Sequence, residues 1–93
     1  MSKKDLIRKQ IMKELINISC NPSHFGTHFL VDAIYSVYEN NFLITNLDKY
    51  IYSMLSVKYN TNNTAVKLNI YNAILQSYNN CEEQVLEIIC IEK

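Results

Sequence analysis

The sequence predicts an all-α fold: a compact bundle of about five to six helices containing a helix-turn-helix. Three observations predict it. The chain of 93 residues holds one Gly and one Pro, too few turn residues for a β-sandwich. Its apolar residues recur every three or four positions in successive segments, the period of amphipathic helices. Its breaks are runs of Asn, at Asn40-Asn41, Asn60 to Asn63 and Asn79-Asn80. These short side chains bond nearby backbone and compete with helix. A hydrophobic content of 48% suits a single domain over residues 1–93 with one modest core, without help from metal or disulfide.

The first helix is expected over Ser2 to Ile18, with Ile7, Ile11, Leu15 and Ile18 on one face and Lys and Arg opposite. Ser2 and Asp5 have capping-box spacing. Pro22 disfavours a helical residue before it, so the helix should stop near Asn21. Cys20, His24 and His28 follow at spacings of four. A continuous helix would align them as zinc ligands, but Pro22 and Gly26 argue against such a helix and a fourth ligand is missing, so no metal site is assigned. His24 is expected to fix the loop through a side-chain bond, and His28 to be an exposed first-turn residue.

Thr27 should cap a second helix, His28 to Glu39, whose buried stripe is Leu30, Ala33, Ile34, Val37 and Tyr38. Phe42, Leu43 and Ile44 form a short apolar link able to plug the core. Thr45 and Asp48 have capping-box spacing for a helix running to Tyr59, with Leu47, Ile51, Met54 and Leu55 inward. The polar corner Asn60-Thr61-Asn62-Asn63 then leads into a longer helix, Asn63 to about Tyr78, capped by Asn63 or Thr64. Val66, Ile70, Ala73, Ile74 and Ser77 repeat along it with a helical period. Asn79 and Asn80 should stop it, leaving Glu82 to Ile91 as a last short helix with acidic residues at its positive end.

Helix, tight polar turn, helix is the shape of a DNA-binding motif and equally of a plain helical hairpin. The formal net charge is zero, which gives no general attraction to nucleic acid. The distribution is less even. Lys3, Lys4, Arg8, Lys9 and Lys13 make the start basic, and Glu82, Glu83, Glu87 and Glu92 make the end acidic. No apolar run is long enough to span a bilayer, and no apolar h-region follows the basic start. Three cysteines without Cys-x-x-Cys spacing suit free thiols in a reducing cytoplasm, the expected location. No acid, base, nucleophile and oxyanion set can be assembled, so an enzyme is not expected, and no cofactor is implied.

Asn21-Pro22-Ser23-His24, Gly26, Leu30, Ala33-Ile34 and Val37-Tyr38 come in an order that resembles a known family. Leu43, Lys49, Tyr52, Lys58-Tyr59-Asn60-Thr61, Val66, Ile70 and Ala73-Ile74 continue it. The pattern is similar to the C-terminal DNA-binding domain of the stage-zero sporulation response regulator of endospore-forming Firmicutes, over about Ile11 to Tyr78. The resemblance implies a helix-turn-helix and sequence-specific binding of double-stranded DNA through the helix from about Asn63. Lys58, Asn60 and Thr61 match family positions at the start of the turn, where phosphate contact is expected. Where the family places arginines on the outer face of the second helix, this chain has Ala65, Leu68 and Tyr71. The family's upstream receiver domain has no room here, so its aspartyl-phosphate switch is expected to be lost.

Two readings follow. In the first, the chain is a small regulator docking its Asn63–Tyr78 helix in a major groove. Lys58, Asn60, Thr61, Asn62 and Lys67 hold phosphates, and Asn63 and Thr64, at the start of the helix, belong to the DNA-binding surface. Leu68 and Tyr71 meet thymine methyls, and Asn72 or Gln76 meets adenine. AT-rich, repeated half-sites suit that inventory, bound by paired copies. The task is transcription control or accessory help to a site-specific recombinase. In the second, the chain keeps the fold without gripping DNA and binds a protein partner through Leu68, Tyr71 and Leu75. Thr64, Leu68, Tyr71 and Leu75 form a stripe away from Val66 and Ile70, to be covered by the C-terminal helix or by a partner.

Overall fold

Ser2 does cap the first helix: its Oγ accepts from the Asp5 N–H at 3.2 Å, opening α1 (Lys3–Asn17). This computed structural model describes residues 2–92, with side chains over residues 2–81. Helix α1 ends before Pro22 acts. Ser19 takes a left-handed φ of 71°, the Ser19 N–H returns to the Ile16 carbonyl at 2.9 Å, and the Cys20 N–H to the Leu15 carbonyl at 2.9 Å. That pair of bonds is a Schellman closure. The apolar contact that accompanies it is Cys20 against Leu15, both buried with Val31 in a small core under α1. Ile18, expected inward, sits at the cap beyond the regular helix and is exposed.

Helix α2 (Phe25–Glu39) starts three residues earlier than the sequence suggests. Thr27 is not its cap. It lies fully buried in the first turn with its Oγ1 unpaired among the described residues, while His24 takes the cap position without a side-chain bond. Asn21, not His24, ties the loop, accepting from the Ser23 N–H and Oγ at 2.9 and 2.7 Å. Gly26 is part of the helix, and packing rather than a break explains it. A Cβ there would lie 2.1 Å from the Asn69 carbonyl oxygen, so glycine lets α2 meet the last helix backbone to backbone. Helix α2 is the hub, packed by the other helices on several sides. Its buried residues are therefore Phe29, Val31, Asp32 and Tyr35, with Leu30, Ala33 and Val37 half-buried. Ile34 and Tyr38, expected in the stripe, are exposed.

A 3₁₀ turn (Asn41–Thr45) follows, capped by Asn40. Of its apolar residues only Leu43 packs on the core; Phe42 and Ile44 point out. The next helix begins one residue later than the Thr45–Asp48 spacing suggests. Asn46 is the cap, its Oδ1 accepting from the Lys49 N–H at 3.0 Å. Its first turns, Leu47–Tyr52, are wound as π-helix and run directly into α3 (Ser53–Lys58). Ile51 and Leu55 are fully buried, whereas Leu47 and Met54 are exposed.

Helix α4 (Asn63–Glu92) is the largest departure. The sequence suggests a stop at Asn79-Asn80 and a separate last helix; the chain forms one 30-residue helix instead. Asparagine costs under about 1 kcal/mol per residue in a helix, too little to break one that tertiary bonds support. Asn80 supplies such a bond, its Nδ2 donating to the Ser19 carbonyl at 3.3 Å. Beside it, Ser77 Oγ donates to the Ile18 carbonyl. The α1–α2 corner thus holds α4 where a break was expected. The main core gathers Phe29, Ile51, Leu55, Val66 and Ile70. Among the described residues there is no strand, so the all-α class holds.

Candidate nucleic-acid interface

The end of α3 and the start of α4 form a sharp corner whose every bond can be followed. Tyr59 closes α3, its N–H reaching the Leu55 carbonyl at 2.9 Å. Asn60 adopts φ 53°, and the Asn60 and Thr61 N–H groups return to the Val57 and Ser56 carbonyls at 3.3 and 2.8 Å. This is a second Schellman closure, with Asn in the left-handed position where it is tolerated better than most residues. Asn62 then caps α4: its Oδ1 accepts from the Ala65 N–H at 2.8 Å. Neither Asn63 nor Thr64 serves as the cap. Asn63 turns inward and donates from Nδ2 to the Asp48 carbonyl at 3.2 Å and to Ser53 Oγ at 3.0 Å. The Ser53 N–H and Oγ also donate to the Asp48 carbonyl, so the start of α4 is tied to the start of the helix before it.

A third restraint comes from α2. Asp32 is almost wholly buried, its side chain 3% exposed. It accepts from Lys58 Nζ at 3.0 Å, from Tyr59 Oη and from Arg8 Nη2. Burial alone would raise its pKa, but the bonds from Tyr59, Lys58 and Arg8 outweigh it and hold the carboxyl below its ordinary value. Tyr59 moves the other way. Burial, then the bond to Asp32 and its charge, push the phenol up to about 12. One carboxylate therefore joins α1, α2 and the end of α3. Sequence reasoning missed it, although the signal was present: Asp32 is the lone charge in the apolar run Phe29 to Tyr35.

The sequence-nominated residues now divide by their local surroundings. Lys58 is half exposed but already paired with Asp32. Asn60, Asn62 and Asn63 shape the corner through backbone conformation, capping and an inward bond. Thr61, Thr64, Lys67, Leu68, Tyr71 and Asn72 are exposed along the corner and the outer side of α4. No side-chain hydrogen bond engages Lys67 among the described residues, and Leu68, Tyr71, Leu75 and Tyr78 are 56%, 61%, 43% and 65% exposed. The idea that the C-terminal residues fold back over this stripe is overturned, because they continue α4 along its own axis. A cleft of about 300 Å³ flanks the helix, lined by Ser23, His24, Asn69, Asn72 and Gln76, with exposed Phe25 on its edge. Phe25 was not singled out from sequence. Cys20, His24 and His28, evenly spaced in sequence, separate by environment: Cys20 is in the core, His24 is half-buried at the start of α2 and His28 faces outward. Among the described residues no helix is long and apolar enough to cross a membrane.

Searches of curated proteins and of solved structures each return no match to this chain. The family described as Sporulation initiation factor Spo0A C terminal matches residues 11–93, including the end of α4 that lay beyond the resemblance read from sequence, and the chain belongs to that family.

Proposed function

We propose that the chain is a small DNA-binding regulator in the control of sporulation, using α3, the corner and α4 as a helix-turn-helix. The family consists of DNA-binding effector domains, and membership in it supports this reading. The observation that carries it here is the fixed corner. Two cap closures, the Asn63 bridge and the Asp32 clamp hold α4 rigidly against the body. Its first turns meanwhile stay open at Thr64, Lys67, Leu68, Tyr71 and Asn72. A reading element held within about half an ångström is what base recognition requires. Lys67, the exposed Thr61 hydroxyl and the Asn62 side-chain amide would hold phosphates, Leu68 and Tyr71 would meet thymine methyls, and Asn72 would meet adenine. Lys58 has a lesser share, because each phosphate must compete with Asp32 for it.

Electrophoretic mobility shift at low salt tests this, using AT-rich duplexes and the gene's own upstream region. Lys67→Ala should weaken binding about equally on every sequence and flatten the salt slope by about one unit. Equal binding by wild type and Lys67→Ala would remove the proposed docking face. We assign paired binding on repeated half-sites because one copy offers a small contact area. A recombinase gene next door would assign the regulator to site-specific excision rather than transcription. The second reading is an adaptor or antagonist of another regulator, and the exposed Leu68, Tyr71 and Leu75 favour it. A stable hetero-complex without any DNA shift would select it.

A further inference from the structure

The two sides of α4 carry different repeats. Val66, Ile70, Ala73 and Ser77 are buried against the body. On the opposite side, Leu68, Tyr71, Leu75 and Tyr78 follow one another at steps of three, four and three. That alternation averages 3.5 residues, the period that keeps one helix in contact with another in a left-handed coiled coil. The register is self-consistent. With Leu68 and Leu75 at position a and Tyr71 and Tyr78 at position d, the four body-facing residues all fall at c and f, the positions farthest from such a seam. The structure thus separates the two surfaces onto opposite sides of one helix.

We infer that a second copy of this chain docks on the outer seam of α4, the two helices pairing through Leu68, Tyr71, Leu75 and Tyr78. The seam suits a copy of itself because it is uncharged. Its nearest flanks are Lys67 and Ile74 on one side and Asn72 and Asn79 on the other, so like charges are not driven together. Ile74 is also part of the lip of an apolar groove of about 330 Å³ between α2 and α4, lined by Leu30, Ile34, Ile44 and Leu47, which extends the apolar surface beyond the seam. A stable dimer buries about 800 Å² on each partner, and the four seam side chains supply about half of that. The lip of the groove at Ile74, Ile34 and Leu47 lies beside the seam and supplies further apolar area. This pairing stands apart from DNA binding and competes with it for Leu68 and Tyr71.

Sedimentation equilibrium of the full chain without DNA, over about 1 to 100 μM, tests the seam. Wild type should be dimeric within that range. Leu75→Glu and Leu68→Glu should each raise the dimer dissociation constant about tenfold or more, with unchanged helical circular dichroism. Val57→Glu, on α3 at a residue 81% exposed and off the seam, should leave it unchanged. Should Leu75→Glu lose helicity, Leu68→Glu decides. A wild type that is monomeric throughout, or a dimer that tolerates both seam substitutions, overturns the inference. A monomer that still shifts DNA would sink this pairing and leave the DNA reading standing.

Discussion

The corner after α1 and the corner after α3 use the same backbone closure and differ in what anchors them: only the first buries its closing residue in apolar contact, and only the second is clamped by charge. At both, a non-glycine residue enters the left-handed region and two N–H groups return to the helix. The first corner then seals itself with apolar contact, Cys20 and Leu15 buried beneath α1. The second is held by charge and hydrogen bonds: Lys58 and Tyr59 on Asp32, and Asn63 on the Asp48 carbonyl. The difference follows from position. The first corner backs onto α4 and can bury its residues, whereas the second must leave Thr61 and Asn62 in solvent and so cannot rely on apolar burial. A polar clamp gives the exposed corner rigidity without burying Thr61 or Asn62.

Removing the clamp should have the largest effect. Asp32→Asn leaves Arg8 and Lys58 without their partner. Both cations are partly exposed and can rehydrate, so the loss should be about 2 kcal/mol, below the range for a fully buried pair. Urea unfolding at neutral pH measures it. The clamp also gives the second corner a pH dependence that the first lacks. Asp32 titrates lower in the fold than its ordinary 3.8, so its contribution is complete above that value and is lost as pH falls through the lower folded value. Tyr59 is raised from 10.0 to about 12, so its contribution is complete below pH 10 and fades as pH climbs toward 12. Tyr59→Phe should remove that alkaline loss. Equal loss in both proteins would show that the clamp does not hold the corner.

This contrast also marks what could be read in advance. The all-α class, α1 with its Ser2 cap, and the helix–corner–helix between Ser53 and Tyr78 follow from period and asparagine placement, which are local signals. The unity of α4 was not legible, because it depends on Ser77 and Asn80 reaching residues some sixty positions earlier in the chain. The role of Gly26 was read as a break because its cause is the Asn69 carbonyl, a contact invisible to periodicity. At the candidate interface, the residues of the corner were found, but their division into scaffold and free surface was not. Asn63 and Lys58 look like contact residues until Asp48 and Asp32 are placed beside them.

A medium effect probes the first corner from the α4 side. Ser77 Oγ donates to the carbonyl of Ile18, the residue that caps α1. Ser77→Ala should cost about 1 kcal/mol by removing that bond from a site only 7% exposed. Amide exchange should then speed at Ser19 and Cys20 and stay unchanged at Asn60 and Thr61. Faster exchange at both corners would mean that they open as one unit rather than two.

The smallest expected effect separates the corners by residue rather than by environment. Ser19 and Asn60 both have positive φ, at 71° and 53°. A side chain in that region costs about 1–2 kcal/mol, least for Asn, whose short amide can bond locally. Glycine removes the cost but adds freedom to the unfolded chain, which takes back about 0.5–1 kcal/mol. Ser19→Gly should therefore gain about 0.5 kcal/mol, and Asn60→Gly should be nearly neutral. Among the described residues the Ser19 side chain has only a long contact from Cys81 Sγ, 3.6 Å, to lose in the exchange. Paired thermal melts resolve a difference of this size, about 2–4 °C for a domain of this length. A gain at Asn60 equal to that at Ser19 would mean that asparagine holds its corner no better than serine does, leaving the second corner's rigidity to the Asp32 clamp, the Asn62 cap and the Asn63 bridge.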